Sequence, residues 1–351
     1  MNLTFLCVKI ILKGIELILS AFSFVCLGFK RDPLRYLSQL FNHTKERPIS
    51  TPEVPKKTMK ILIIIPYRDQ SEYTEKCLGS LERQEFENLM VRVLLVDNLS
   101  VLQKTFEYKK RLSQNTQRKN FEVEFLDYNK PFNFSAINNV AIESQSAWEP
   151  DCCLFLNNDI ELISPTLLAE TASFLFSSTS IGAVGCTLLY PDQTIQHLFL
   201  CPGIKVVGAH LCRTLDFDSK HEWYSCPREV PAITGALLLI KTDVFKGAQG
   251  FDETLAFSCQ DLDLCLKISE NGGSIWVLPW LSAYHYEGKS RGKKFNFQEL
   301  DYMDKKWGNK LTSHALVPKS LSKWSEIPIY SFFDIPYPWH FYVRRSARGR
   351  C

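Results

Sequence analysis

Residues 59–67, MKILIIIPY, form an apolar run of strand length in which polar and apolar positions do not alternate. A strand wet on one face alternates, so this run must be covered on both faces, as inside a parallel sheet. Related runs occur as VRVLLVDN (91–98), FEVEFLDY (121–128) and CCLFLNND (152–159). Helix-patterned stretches lie between them: Glu72–Gln84, with Cys77, Leu78 and Leu81 at helical spacing, then Val101–Leu112 and Ser135–Ser144. Strands alternating with helices require right-handed crossovers. The pattern therefore predicts an α/β chain with a doubly wound, Rossmann-like, mostly parallel sheet flanked by helices, whose ligands sit at the carboxyl ends of the strands.

The residues ending these strands are polar. The first run ends on Tyr67, Arg68 and Asp69, the second on Asp97 and Asn98, the fourth on Asn157, Asn158 and Asp159. Asn and Asp also favour turns, so 157–159 alone reads equally well as a simple turn. No GxGxxG or GxxxxGK[ST] follows any strand, which argues against dinucleotide redox chemistry and P-loop phosphoryl transfer. A ligand edge lined by carboxylates, without a glycine cradle, needs a divalent cation to hold a diphosphate. The formal charge of +3 is too small to argue for nucleic acid as a partner. Twelve cysteines, including the adjacent Cys152 and Cys153, lie largely in apolar runs without CxxC spacing. They read as reduced core thiols rather than a disulfide framework or zinc site.

Residues 1–30 are mostly apolar, with Lys9, Lys13, Glu16, Ser20 and Ser23 along one helical stripe. This predicts an amphipathic helix anchored in the plane of the membrane rather than crossing it, the apolar part being shorter than the ~20 residues that span a bilayer. A spanning helix or a cleaved signal peptide are the other readings, but no small-residue cleavage site precedes Lys30. If the helix spans, Lys30, Arg31 and Arg35 hold the domain after it on the cytoplasmic side; both membrane readings predict membrane association at the cytoplasmic face. Residues 31–58, polar and proline-rich from 44 onward, read as a linker. The catalytic domain is assigned to 59–292. A C-terminal helical segment and a tail of aromatic residues and arginines over 293–351 suit either a membrane surface or a docked tail.

Three later segments complete the pattern. VPAITGALLLIKTDVFKGAQGFDE (230–253) sets the small-residue turn Thr234–Gly235–Ala236 before an apolar run. FSCQDLDLCLKISENGG (257–273) fits a helix with Asp261 and Asp263 in its first turn, and WVLPWLSAYHYEGKSRG (276–292) carries His285 between aromatic residues. With IPYRD, LLVDN, PFNFSAINN, LNNDIEL, VGCTLLYPDQTIQH, TGALLLI and FDE in this order, residues 60–292 resemble glycosyltransferase family 2 with the GT-A fold. The similarity is greatest to the rhamnosyltransferase-like, surface-polysaccharide branch.

That resemblance implies an inverting, metal-dependent glycosyltransferase. It would move a hexosyl or deoxyhexosyl group from a nucleotide-diphosphate sugar to a glycan or lipid-linked acceptor. The fourth-strand motif corresponds to the family's DxD, so Asp159 would hold Mg2+ or Mn2+, with His285 as a further ligand. Pro66, Arg68, Asp69 and Asp97 would line the nucleobase and ribose pocket. Asn157, Asn158 and Gly235 would lie on the donor side; charge and position alone, not the resemblance, suggest that Arg291 and Lys289 clamp phosphate oxygens. Asp261 would be the general base, with Asp263 and Gln260 toward the acceptor. Direct displacement at an anomeric carbon needs such a base and a stabilised leaving diphosphate. Gln196 and His197, also within the matching blocks, have no role in this scheme. The chain departs from the family at Leu99, where a glycine commonly comes after VDN, and at Gln260, where Glu or Asn is common. A catalytically silent GT-A domain, binding a nucleotide sugar or glycan as a partner subunit, is the alternative reading.

Overall fold

The computed structural model describes residues 14, 18, 32–41, 58–118, 120–205, 207–286 and 296–328. Nearly all of the 1–30 segment, Lys289, Arg291 and the tail beyond 328 lie outside the described residues.

In chain order the elements are α1 (Pro33–Leu40), β1 (Met59–Tyr67), α2 (Ser71–Glu82), β2 (Leu89–Asp97), α3 (Gln103–Ser113), β3 (Phe121–Asp127), α4 (Phe134–Ser144), β4 (Cys152–Leu156), β5 (Ile160–Leu162) and α5 (Leu167–Phe176). Next come β6 (Ile181–Leu189), β7 (Ile195–His197), β8 (Leu200–Pro202), β9 (Gly208–His210), β10 (Arg228–Glu229), β11 (Leu237–Lys241), α6 (Thr242–Gly247), α7 (Gln260–Glu270), β12 (Ser274–His285), α8 (Phe297–Trp307) and α9 (Asn309–Thr312). The main sheet runs β10-β12-β6-β11-β4-β1-β2-β3, with β5 on the edge of β12 and β7 on β6.

β4, β1, β2 and β3 pair in parallel, and so do β12 and β6, so most of the ladder is parallel as the apolar runs predict. β11 lies antiparallel between β4 and β6, and the short strands β10, β5 and β7 also pair antiparallel with their neighbours. β1 shows why its run lacks alternation. Leu62 and Ile64 pack into one core with Ile137 and Ala141 of α4; Ile61, Ile63 and Ile65 pack into the opposite core with Cys77, Leu78 and Leu81 of α2. Each such fully buried aliphatic side chain contributes roughly 1.5–3 kcal/mol. All nine described cysteines are free thiols, seven of them buried, as the sequence predicts.

Two boundaries move. Residues 32–41 are not linker: Asp32 caps α1 by accepting from the Arg35 N–H at 3.0 Å, and Pro33 opens the helix, where its missing N–H costs nothing. Leu37 and Phe41 are buried in the core, with the Phe41 ring 5.0 Å from Phe199. Nor does the domain close at 292. In α8, Glu299 is buried and its carboxylate accepts from the backbone N–H groups of Ala256 (3.0 Å), Phe257 (3.0 Å) and Ser258 (2.8 Å) and from the Ser258 hydroxyl (2.6 Å). α8 thereby holds the loop that enters α7.

Candidate active site

Parallel pairing brings the ends of β1, β2 and β4 to one edge, and the ladders around them fix the side chains there. At the β2 end, Asp97 is buried; its Oδ1 accepts from the Ser100 N–H at 3.0 Å and its Oδ2 lies 3.7 Å from Lys109 Nζ. Burial, then the nearby Asp97 carboxylate, pushes the Tyr67 hydroxyl far above the usual tyrosine range. Asp69 has a left-handed backbone (φ 54°), and its Oδ1 accepts from the N–H groups of Val101 and Leu102 at 3.0 and 2.8 Å. It ties the loop ahead of α3, close in the chain to partly buried Pro66 and exposed Arg68. Leu99 adopts φ 59°, the conformation for which glycine is favoured, so its local backbone carries the strain that the family's glycine avoids.

At the β4 end, the Asn157 N–H donates to Ala236 O at 2.9 Å, and Asn158 Nδ2 donates to Thr74 Oγ1 at 3.2 Å. β12 ends beside this turn: His285 pairs with Ile160, and the Tyr286 N–H donates to Asp159 O at 3.0 Å. The ladder thus sets His285 Nε2 3.3 Å from Asp159 Oδ1, both side chains being mostly buried. His285 Nδ1 meets Gln196 Oε1 at 2.8 Å. Since a carbonyl oxygen only accepts, Nδ1 carries the hydrogen, and in the neutral ring Nε2 then keeps its lone pair, with Asn157 Nδ2 3.5 Å away. A nitrogen lone pair and a carboxylate oxygen therefore converge, and this donor set fits a borderline-hard cation such as Mn2+. Among the described residues no cluster of three or more His, Cys, Asp or Glu could hold a metal. The Asp159–His285 pair is thus at most a partial ligand set, which other oxygen donors would have to complete.

The 234–236 turn joins this half of the site to α7. Gly235 N–H donates to Asp261 Oδ2 at 3.1 Å, and the Leu262 N–H donates to Oδ1 at 2.8 Å. A Cβ on Gly235 would meet the Phe134 ring at 3.4 Å and Asp261 Cβ at 3.5 Å, which is ordinary van der Waals contact. Burial pushes the Asp261 carboxyl above the usual aspartate range, against the backbone bonds from Gly235 and Leu262 that favour its charged form. Gln260 is buried beside it, with Oε1 lacking a partner.

Asp263 is not toward an acceptor. It is fully buried, with Oδ1 2.8 Å from Trp307 Nε1 and 2.6 Å from Lys306 Nζ, and with Oδ2 3.3 Å from Lys267 Nζ. Two residues along a helix turn the side chain by about 200°, so Asp261 and Asp263 face opposite ways. Sequence reasoning missed Glu299, and it left Gln196 and His197 without a role.

No protein-family model matches the chain. It is 35% identical over 269 residues to the uncharacterized protein y4gI of Sinorhizobium fredii, covering 71% of this chain and 28% of that protein. It is 30% identical over 255 residues to the O-antigen biosynthesis protein RfbC of Myxococcus xanthus, covering 70% and 18%. To the rhamnosyltransferase WbbL of Escherichia coli it is 26% identical over 164 residues, covering 44% and 61%. The match thus spans less than a third of the first two relatives' length. Among solved structures, the mannosyltransferase PcManGT of Pyrobaculum calidifontis in complex with GDP-Man and Mn2+ superposes with TM-score 0.53 at 16% identity, over 80% of this chain and 70% of that one. GalNAc-T7 with UDP, GalNAc and Mn2+ does so with TM-score 0.56 at 12% identity, over 73% and 49%. The described residues therefore carry the GT-A fold, and in sequence the chain is similar to the family 2 glycosyltransferases of the rhamnosyltransferase-like, surface-polysaccharide branch.

Proposed function

We propose that the protein is an inverting glycosyltransferase of cell-envelope polysaccharide synthesis, moving a hexosyl or deoxyhexosyl group from a nucleotide-diphosphate sugar to a glycan or lipid-linked acceptor. The observation that carries this reading is one edge holding both an Asp159–His285 pair at 3.3 Å and, across the 234–236 turn, a carboxylate with a raised pKa. The relatives named for O-antigen synthesis and rhamnosyl transfer support it, as do the GT-A neighbours solved with nucleotides or nucleotide sugars and Mn2+. The N-terminal polar stripe and the aromatic, arginine-rich tail support work at the cytoplasmic face of a membrane.

Asp159 and His285 would hold a divalent cation, which when bound neutralises charge on the departing diphosphate. Asp97 and Asp69, with Pro66 and Arg68, form the side of the edge that takes the nucleoside; Asn157 and Asn158 border the diphosphate. Asp261 is held by the Gly235 and Leu262 N–H groups, one on each oxygen. The acceptor hydroxyl oxygen attacks the anomeric carbon while its proton passes to Asp261, and the bond from that carbon to the diphosphate oxygen breaks, its electron pair leaving with the nucleotide. One displacement inverts the anomeric centre.

Nucleotide-sugar binding and hydrolysis, screened with and without Mn2+ or Mg2+, tests the proposal; binding of no donor by the folded protein overturns it. Asp159→Ala should weaken Mn2+-dependent nucleotide binding more than about tenfold by calorimetry, as should chelator on the wild type. Unchanged affinity in both would remove the metal assignment.

A base must be deprotonated to act, so activity falls as pH falls through the pKa of Asp261. Because burial raises that pKa above 3.8, the acidic limb of the kcat/KM profile should lie above the ordinary aspartate range. A limb at or below it would point to a different base.

A further inference from the structure

β7 is three residues long, yet it touches both halves of the site. Against β6, His197 pairs with Leu188 and Ile195 with Leu189, so Gln196 is an extra residue in the ladder. Such a bulge breaks the strict alternation of side chains and re-aims them. Gln196 reaches His285 Nδ1 at 2.8 Å. His197 Nε2 accepts from the Thr234 N–H at 3.2 Å, and its Nδ1 lies 2.8 Å from His210 Nδ1. Thr234 immediately precedes Gly235, the donor to Asp261. Both side chains are almost fully buried, Gln196 at 3% and His197 at 1% exposure, so neither is placed to contact substrate.

We propose that the bulged Gln196–His197 pair is the positioning element of the site, Gln196 fixing the tautomer and direction of His285 while His197 fixes the turn that holds Asp261. The role in catalysis rests on the assignment of Asp159 and His285 to a cation and of Asp261 to the base; the contacts themselves do not. Gln196 Oε1 keeps the hydrogen on Nδ1 of His285, which leaves Nε2 as the ligating atom. Partners of this kind typically account for about 10- to 100-fold in metal affinity. On the other side, the Thr234 N–H has its acceptor in a ring that burial, then His210, keeps neutral. Without that acceptor a buried donor is left unpaired, and the turn loses the tether that fixes Gly235.

The test begins with nitrogen-15 NMR of the histidine rings in the metal-free protein, which does not depend on any activity. The wild type should show His285 hydrogenated on Nδ1. Gln196→Leu should lose that tautomer, and Gln196→Glu, which keeps an acceptor, should retain it and shift the Nδ1 resonance. A His285 tautomer unchanged in Gln196→Leu overturns the proposal. Where Gln196→Leu does not fold, an unmoved Nδ1 resonance in Gln196→Glu does so instead. Mn2+ titration followed by electron paramagnetic resonance should then show affinity about 10- to 100-fold lower for Gln196→Leu and recovery in Gln196→Glu. A wild type that binds no Mn2+ overturns the metal reading, while the NMR result still decides the contact. For the second half, His197→Leu should accelerate amide hydrogen exchange across 233–236, and His197→Gln should restore part of the protection; unchanged exchange in His197→Leu overturns it.

Discussion

Asp261→Asn should leave the fold and the donor affinity in place and lower transfer by about 100- to 10,000-fold, the usual contribution of a positioned acid or base. The amide has nearly the shape of the carboxylate, and its oxygen still accepts one of the two backbone N–H groups, from Gly235 or Leu262. What it cannot do is take the acceptor's proton. The amide nitrogen then faces the other N–H, donor against donor, so a modest loss of stability should accompany the loss of rate. Rates, donor affinity and thermal unfolding of the variant decide the matter. Transfer at the wild-type rate would show that the base lies elsewhere. A loss of donor affinity equal to the loss of rate would make Asp261 a binding residue.

Asp263→Ala, two residues on, should do the reverse. Its carboxylate is the shared acceptor for Lys306, Lys267 and the Trp307 indole N–H, at zero exposure. Removing one partner of a buried charge cluster costs on the order of 3–5 kcal/mol: Lys267 loses its paired carboxylate, and of its two carboxylates Lys306 keeps only Asp252. Denaturant unfolding should show that loss, and transfer per folded molecule should change far less than in Asp261→Asn. A variant as stable as wild type would mean that the two lysines find other partners at no cost. The neighbouring Asp252 titrates with a definite sign. Burial raises its pKa, but the Lys306 and Tyr302 bonds outweigh this and hold it well below 3.8. Its contribution to stability is therefore complete above the ordinary aspartate range and fades as pH falls through the depressed folded value.

The parallel half of the fold was legible because β1, β2 and β4 are apolar on both faces, a pattern that few other environments permit. The direction of β11 was not legible. LLLIK is equally apolar in either orientation, and its antiparallel seat between β4 and β6 depends on partners far away in sequence. The strand-end polar residues were found for a local reason: they come directly after strands whose carboxyl ends had to meet. Gln196 escaped a role because its importance comes from a bulge in a three-residue strand, a feature set by register and not by composition. Asp263 was misplaced as an acceptor residue although helical geometry alone turns it away from Asp261. Pro33 and the proline-rich stretch after it disguised α1 as linker, since proline reads as a breaker unless its position at the first helical residue is recognised.

The grip of Glu299 on Ala256, Phe257 and Ser258 sets an order of assembly during synthesis. Everything that Glu299, Lys306 and Trp307 hold lies before them in the chain, so a ribosome will have released the whole sheet edge before the loop entering α7 gains its anchor. A nascent chain stopped short of α8 would possess the strand ends of the sheet edge but not the anchor of the loop that leads to Asp261. On the proposed reading, the loop leading to Asp261 is therefore fixed only once α8 has emerged, and a product truncated before it would keep the donor edge without a held base.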